Sequence, residues 1–300
     1  MSLNIPNLKK NKLLAPFTTY HIGGPADLFV EVRTIDELTH ALFEARRNGI
    51  PFFLLGCGAN ILVTDKGFRG LVIHNLAKKI IFHDNSKVSA ESGAIIADLI
   101  ELCCDRGLSG FEHFVGIPST VGGAMWQNLH FLSPDRQRTV FIEEIVQTAR
   151  IITEEGQCCT VGADYFQFDY DRSILQKRKD IVLDVTFQLS AKQKKEIREI
   201  MDINMAWRNT RQPQLAEYPS CGSVFKKIKG IGAGRLIDQV GLKGTRIGGA
   251  EVSGKHANFI VNAGNAHASD VLQLIQYVQE EVKRKLGYTL ETEITVVGEL

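Results

Sequence analysis

Ser223, Glu293 and Arg172 are the side chains of this sequence whose types and neighbours have chemistry to offer. Ser223 lies in Pro219-Ser220-Cys221-Gly222-Ser223-Val224-Phe225-Lys226, where a hydroxyl can act as a proton donor. A serine beside glycine is equally ordinary turn chemistry. A serine hydrolase is disfavoured, because Cys221 and Phe225 stand where the nucleophile elbow Gly-x-Ser-x-Gly needs its glycines. Glu293 falls in Leu290-Glu291-Thr292-Glu293-Ile294-Thr295-Val296, and strand alternation puts Glu291, Glu293 and Thr295 on one face, which on its own reads as a solvated face. Arg172, in Tyr170-Asp171-Arg172-Ser173, reads equally as a surface arginine paired with Asp171.

Glycines bunch at Gly23-Gly24, Gly56, Gly58, Gly116 and Gly122-Gly123, mostly where strands are expected to end. Glycine allows positive φ and close backbone approach, so successive N–H groups can converge on a pyrophosphate without a P-loop lysine. Tight turns are the competing reading for any one cluster. The run Gly230-Ile231-Gly232-Ala233-Gly234-Arg235 fails as a dinucleotide fingerprint, since Arg235 takes the third glycine's place and no convincing strand leads in. The 8 histidines show neither H-x-x-x-H nor H-E-x-x-H spacing, so no catalytic metal is expected, and His256 reads as structural.

The elements that must position these residues are of mixed type. Strands are expected over residues 28–33, 51–55, 61–63, 70–74, 79–83 and 87–90, and two β-branched runs over 141–153 and 180–189. Thr34 with Glu37 forms a capping-box signature for a helix running to about Asn48. Further helices are expected over residues 95–105, 191–208 and from Ser269 to Gly287, with a terminal strand over 291–297. The last helix carries Val271, Leu274, Ile275, Val278, Val282 and Leu286 on one face.

At 300 residues the chain exceeds what one core serves, and 44% hydrophobic with 23% charged residues is ordinary globular usage. The net charge of +1 implies no nucleic acid, and the clusters Lys192-Gln193-Lys194-Lys195 and Lys226-Lys227-Ile228-Lys229 are short. Six cysteines without a C-x-x-C suit free thiols in a reducing cytosol. No segment has a signal-peptide or membrane-span pattern, so a cytoplasmic protein is expected.

Five strings occur in the order of one family: TTYHIGGPAD (18–27), GCGANILVTDKGFRG (56–70), GIPSTVGGA (116–124), PSCGSVFK (219–226) and GGAEVSGKHANFIVN (248–262). With the terminal L-x-x-E, the sequence resembles the UDP-N-acetylenolpyruvoylglucosamine reductases, of the shorter class lacking a tyrosine-bearing insertion. The resemblance implies an α+β chain: a two-subdomain FAD-binding fold of the PCMH/vanillyl-alcohol-oxidase type plus a C-terminal α+β substrate domain. Its divisions would be 1–75 and 76–190 for FAD and 191–300 for substrate.

By the same resemblance, NADPH reduces a noncovalent FAD, and UDP-N-acetylglucosamine enolpyruvate then takes hydride at C3 from flavin N5 and a proton at C2 from Ser223. Glu293 and an arginine would polarise the substrate carboxylate. The implied flavin contacts are Gly56, Cys57, Gly58, Ala59, Asn60, Ile61, Gly116, Ile117, Ser119, Thr120, Gly122 and Gly123. Tyr170, Lys226 and Lys227 would face the nucleotide. A monomer acting on a UDP-sugar for peptidoglycan synthesis is implied, with neither nucleic acid nor membrane as partner.

The sequence departs from the family at three places. The family's Tyr-Arg-x-Ser is Tyr170-Asp171-Arg172-Ser173 here, an acid where the arginine belongs, so Arg172 serves only if its segment is bulged or irregular. The usual Lys-Asn-Pro is Lys226-Lys227-Ile228, and a flavin-loop glycine is Ser119, which fits only if its backbone avoids positive φ. Two other readings accommodate these departures: a flavin oxidoreductase of the same fold, such as an alcohol oxidase tethering flavin through His or Cys, or a catalytically weak paralogue binding FAD or a sugar nucleotide.

Overall fold

A computed structural model describes residues 3–228 and 230–299; Lys229 of the second lysine cluster lies outside the described residues. The chain forms two compact units interleaved in sequence. Unit 1 comprises residues 1–7, 30–56 and 73–208; unit 2 comprises 8–29, 57–72 and 209–300. The strands Pro25–Val32 and Phe68–Asn75 each cross the division in sequence, and within unit 2 Lys9–Leu13 pairs antiparallel with residues 25–29.

Unit 1 is built on a five-stranded sheet ordered Cys158–Gly162, Val146–Ile152, Ile181–Gln188, Lys87–Glu91, Ile80–His83, its neighbours antiparallel. Four helices accompany it: α1 (Ile35–Arg47), α2 (Ile96–Asp105), α3 (Val121–Gln127) and α4 (Lys194–Arg211, whose last turn passes into unit 2). Residues at two-residue spacing along Ile181–Gln188 fill the core: Leu183, Val185 and Phe187 are buried, as a strand with one face covered requires. Phe111 meets Phe187 edge to face at 4.9 Å, the geometry the ring quadrupoles favour.

Unit 2 packs α5 (Ala233–Val240) and α6 (Ala268–Leu286) with a three-stranded antiparallel sheet, Arg246–Ile247, Ala250–Val252, Ile260–Asn262. Val271, Leu274, Ile275, Val278 and Val282 of α6 are buried at helical spacing. The first N–H groups of α6 are met from elsewhere in the chain. Asp65 accepts from Ala268 N at 2.7 Å and Ser269 N at 3.0 Å. Burial raises the Asp65 carboxyl, and these two backbone bonds outweigh it and hold the group below the usual range.

Three expected elements and one cap differ, each for a traceable reason. The run 141–153 breaks after Thr139–Phe141, because Glu144 accepts Phe141 N at 2.9 Å and caps a 3-10 turn at Ile142–Glu144. The helix expected from residue 191 starts at Lys194, since Ser190–Ala191 pair with Leu108–Ser109. It runs on to Arg211 and stops where Gln212 precedes Pro213. Only Thr295–Val297 of the expected terminal strand is regular, and it pairs in parallel with Ile61–Val63. At α1, Thr34 accepts from Glu37 N at 3.1 Å as its cap, but the Glu37 carboxylate accepts from Arg33 N rather than Thr34 N, leaving half a capping box.

Candidate functional site

The glycine loops of unit 1 meet around Thr120. A Cβ on Gly56 would come within 2.6 Å of Thr120 Oγ1, so no side chain fits where that loop leaves the strand Phe52–Leu55. Thr120 caps α3, accepting from Gly123 N at 3.2 Å. Ser119 is not among the residues with positive φ, so the serine fits the backbone that the loop needs. The carbonyl of Gly116 accepts from Arg208 Nη2 at 2.9 Å, and the guanidinium lies over the Phe131 ring at 5.2 Å. Burial pulls Arg208 down to about 10, which leaves it charged at neutral pH. Arg208 was not singled out by sequence, where it ends an ordinary amphipathic helix.

Residues 57–60 of the first loop belong to unit 2. Gly58 has φ +62°, and a Cβ there would collide with the Phe17 carbonyl. Thr19 fastens this loop: its N–H donates to Gly58 O at 3.1 Å while its hydroxyl donates to Ser220 O at 2.7 Å. One residue thereby ties the Gly58 loop to the segment bearing Ser223. Burial pushes the Cys57 thiol up to about 11, so it is almost wholly protonated at neutral pH.

Ser223 and Glu293 come together in unit 2. An antiparallel bridge joins Phe225 to Thr292, Glu293 N donates to Val224 O at 2.8 Å, and Lys226 N donates to Glu291 O at 2.9 Å. Glu293 is half-buried, whereas Glu291 and Thr295 are exposed. The expected regular alternation is replaced by a chain that changes partners, from residues 224–226 to residues 60–63. Asn60 Nδ2 reaches Glu293 O at 3.5 Å. Asn258, missed by sequence reasoning although it stands in one of the quoted strings, splints the Ser223 segment with three bonds. Its Oδ1 accepts Phe225 N at 3.0 Å, its Nδ2 donates to Phe225 O at 2.9 Å, and its backbone O accepts Val224 N at 2.8 Å. His256 Nδ1 accepts Asn258 N at 3.2 Å, and burial lowers this imidazole's pKa. Lys226 and Lys227 are exposed.

Tyr170, Asp171 and Arg172 form a tight turn in unit 1 rather than a strand. Asp169 N donates to Arg172 O at 3.0 Å and Arg172 N to Asp169 O at 3.2 Å. The strand-register objection to Arg172 therefore does not apply. Its side chain is 52% exposed and pairs with Asp169 at 3.1 Å, not with Asp171. Asp171 turns inward with φ +54°.

The FAD binding domain matches residues 26–162, and the C-terminal domain of UDP-N-acetylenolpyruvoylglucosamine reductase matches residues 212–297. The UDP-N-acetylenolpyruvoylglucosamine reductase of Listeria monocytogenes serotype 4b is 39% identical over 292 residues, 97% of this chain and 95% of that protein. The chain belongs to this reductase family. The enzyme of the same name from Moorella thermoacetica is 40% identical over 289 residues, 96% of this chain and 93% of its own. The crystal structure of UDP-N-acetylenolpyruvylglucosamine reductase from Thermus caldophilus superposes with a TM-score of 0.80 at 33% identity, covering 95% of this chain and 97% of that one.

Within the reductase family the FAD assignment meets a physical test here. Within unit 1, Gly56 lacks room for a side chain, and Thr120 presents the capped start of α3 beside it. Such a cradle of small residues and backbone N–H groups fits a pyrophosphate. Among the described residues, no cluster of His, Cys, Asp or Glu could hold a metal ion, and no helix is long and apolar enough to cross a membrane.

Proposed function

We propose that this protein reduces UDP-N-acetylglucosamine enolpyruvate to UDP-N-acetylmuramate with NADPH, in the cytoplasm, as a step of peptidoglycan precursor synthesis. Six free thiols suit a reducing compartment. The observation that carries the reading is the fastening, within unit 2, of three segments to one another: the Gly58–Asn60 loop, the Ser223 segment and the Glu293 segment. Those segments bring a hydroxyl, a carboxyl and a cofactor loop into one connected framework.

FAD, when bound, would supply the redox chemistry, the transfer of hydride from NADPH to C3 of the enolpyruvyl group. Residues 56–61, Gly116, Ile117, Ser119, Thr120, Gly122 and Gly123 would hold it. Hydride addition at C3 builds negative charge over C2 and the carboxylate, so the chain must supply a proton at C2 and acidic or positive groups at the carboxylate. Ser223 gives the proton from Oγ. Glu293 in its acid form and Arg172 polarise the carboxylate, and Tyr170, Lys226 and Lys227 face the nucleotide, with Lys227 offering a phosphate a charge. The noncovalent state of the flavin is supported by Cys57, whose thiol is too weakly acidic for facile attachment. In function, residues 1–75 and 76–190 serve FAD and residues 191–300 serve the substrate.

The test is the visible spectrum of the purified protein under anaerobic conditions. A flavin band that bleaches with stoichiometric NADPH and returns on adding the enolpyruvyl nucleotide is the expected result. A band that bleaches and stays bleached removes the substrate assignment, and an absent flavin removes the whole reading.

A further inference from the structure

We infer that Asp171 is a positioning residue that, with Gln127 and His130, locks the turn presenting Tyr170 and Arg172. The inference rests on the proposed reaction for what the turn serves, but the lock itself stands on geometry within unit 1. The Asp171 side chain is 2% exposed, although the turn around it is at the surface. Its Oδ1 accepts from Gln127 Nε2 at 3.4 Å and lies 3.7 Å from His130 Nδ1. A buried carboxylate is costly unless hydrogen-bonded or paired, so its inward position signals that these neighbours hold it.

The backbone tells the same story. Asp171 sits at φ +54°, the left-handed region that Asp enters more readily than most side chains, which lets the turn reverse there. The end of α3 grips the turn at three successive residues. The Trp126 carbonyl accepts from Ser173 Oγ at 2.8 Å and Gln176 Nε2 at 3.1 Å, Gln127 donates to Asp171, and Asn128 Nδ2 donates to Asp169 O at 3.2 Å. The His130 ring lies against Tyr170, centroids 4.6 Å apart. With Asp171 drawn inward, Tyr170 and Arg172 on either side point outward, and the acid is withdrawn from the face where the guanidinium is offered. The same helix α3 is capped by Thr120, so the cofactor loop and this turn hang on opposite ends of seven residues.

The experiment uses the holoenzyme and two readouts. In amide hydrogen exchange, Asp171→Ala is expected to speed exchange in peptides covering residues 169–176 by about tenfold or more, with Asp171→Asn intermediate and the Val146–Ile152 and Ile181–Gln188 strands unchanged. In stopped flow, Asp171→Ala is expected to slow reoxidation by the enolpyruvyl nucleotide about 10- to 100-fold, with NADPH reduction within about twofold. Added to Arg172→Ala, it should cost less than about twofold more, because both changes disable one unit.

Unchanged exchange at residues 169–176 overturns the lock. Losses that multiply in the double variant, or equal slowing of both half-reactions, overturn its role in presenting Arg172. If the wild-type flavin is not reoxidised by the nucleotide at all, the proposed reaction fails and takes the turn's catalytic purpose with it, while hydrogen exchange still decides whether Asp171 holds the turn.

Discussion

The two units organise their candidate residues by different means. In unit 1 they hang on regular elements: Thr120 and Gly123 are the cap and first turn of α3, and Asp171 is gripped from the end of the same helix. In unit 2, Ser223 and Glu293 sit on irregular extended chain, held by a single bridge and by side chains such as Asn258 and Thr19. A framework of helix ends suits a ligand's fixed phosphates. Segments splinted by a few specific bonds suit groups that must be set against a reacting carbon, since proton transfer is sensitive to heavy-atom distance.

The comparison puts the proposed proton donor on the splinted chain of unit 2 and the Thr120-capped loop on the helix end of unit 1, and Ser223→Ala strains that division hardest. The rate of nucleotide-driven flavin reoxidation should fall by about 10³-fold, with flavin content and NADPH reduction retained. A loss shared equally by the two half-reactions would break the division. Next in size, Glu293→Gln should cost about 10²-fold in the same half-reaction, measured in single turnover; a change confined to nucleotide affinity would make Glu293 a binding group instead.

Gly56→Ala tests the other side. The new methyl meets Thr120 Oγ1, so FAD affinity, titrated on apoprotein by flavin fluorescence, should weaken about tenfold, equivalent to about 1.4 kcal/mol. Turnover at saturating FAD should change little, and a large fall there would give the Gly56 loop a part in the chemistry beyond holding the flavin. Smallest of all is the effect expected at Cys57. With its thiol near 11, alkylation at pH 8 should be slow and should quicken as pH rises toward 11, the sense in which thiolate accumulates. Acid precipitation should leave the flavin in the supernatant; flavin retained on the pellet would revive a covalent tether.

The parts legible in the sequence were those governed by local rules. The strand at Ile181–Gln188, the Thr34 cap and the apolar face of α6 follow from periodicity and capping alone. Arg172 and Glu293 were legible as residue types, but their surroundings were not. The sequence leaves the turn at Tyr170–Arg172 open as bulged or irregular because nothing local announces that α3 will pull Asp171 inward, and the C-terminal strand was overextended because its partners change from residues 224–226 to 60–63. Thr19 and Asn258 escaped notice for the same reason. Their importance lies in bonds to residues far away in sequence, such as Ser220 and Phe225. Family strings pointed to the cofactor loops, and the geometry supplied what the strings lacked: which residues fasten them.

The parallel pairing of Ile61–Val63 with Thr295–Val297 has a consequence for the protein while it is being made. At ribosomal rates of about 5–20 residues per second, the partner strand follows about 230 residues later, roughly 10 to 50 seconds after the first. Through that interval Leu62, completely buried in the finished protein, belongs to a strand with no mate on that edge. The nascent chain therefore carries an unfinished second unit through most of its synthesis, and chaperone dependence during translation should exceed that of a protein whose units are contiguous in sequence.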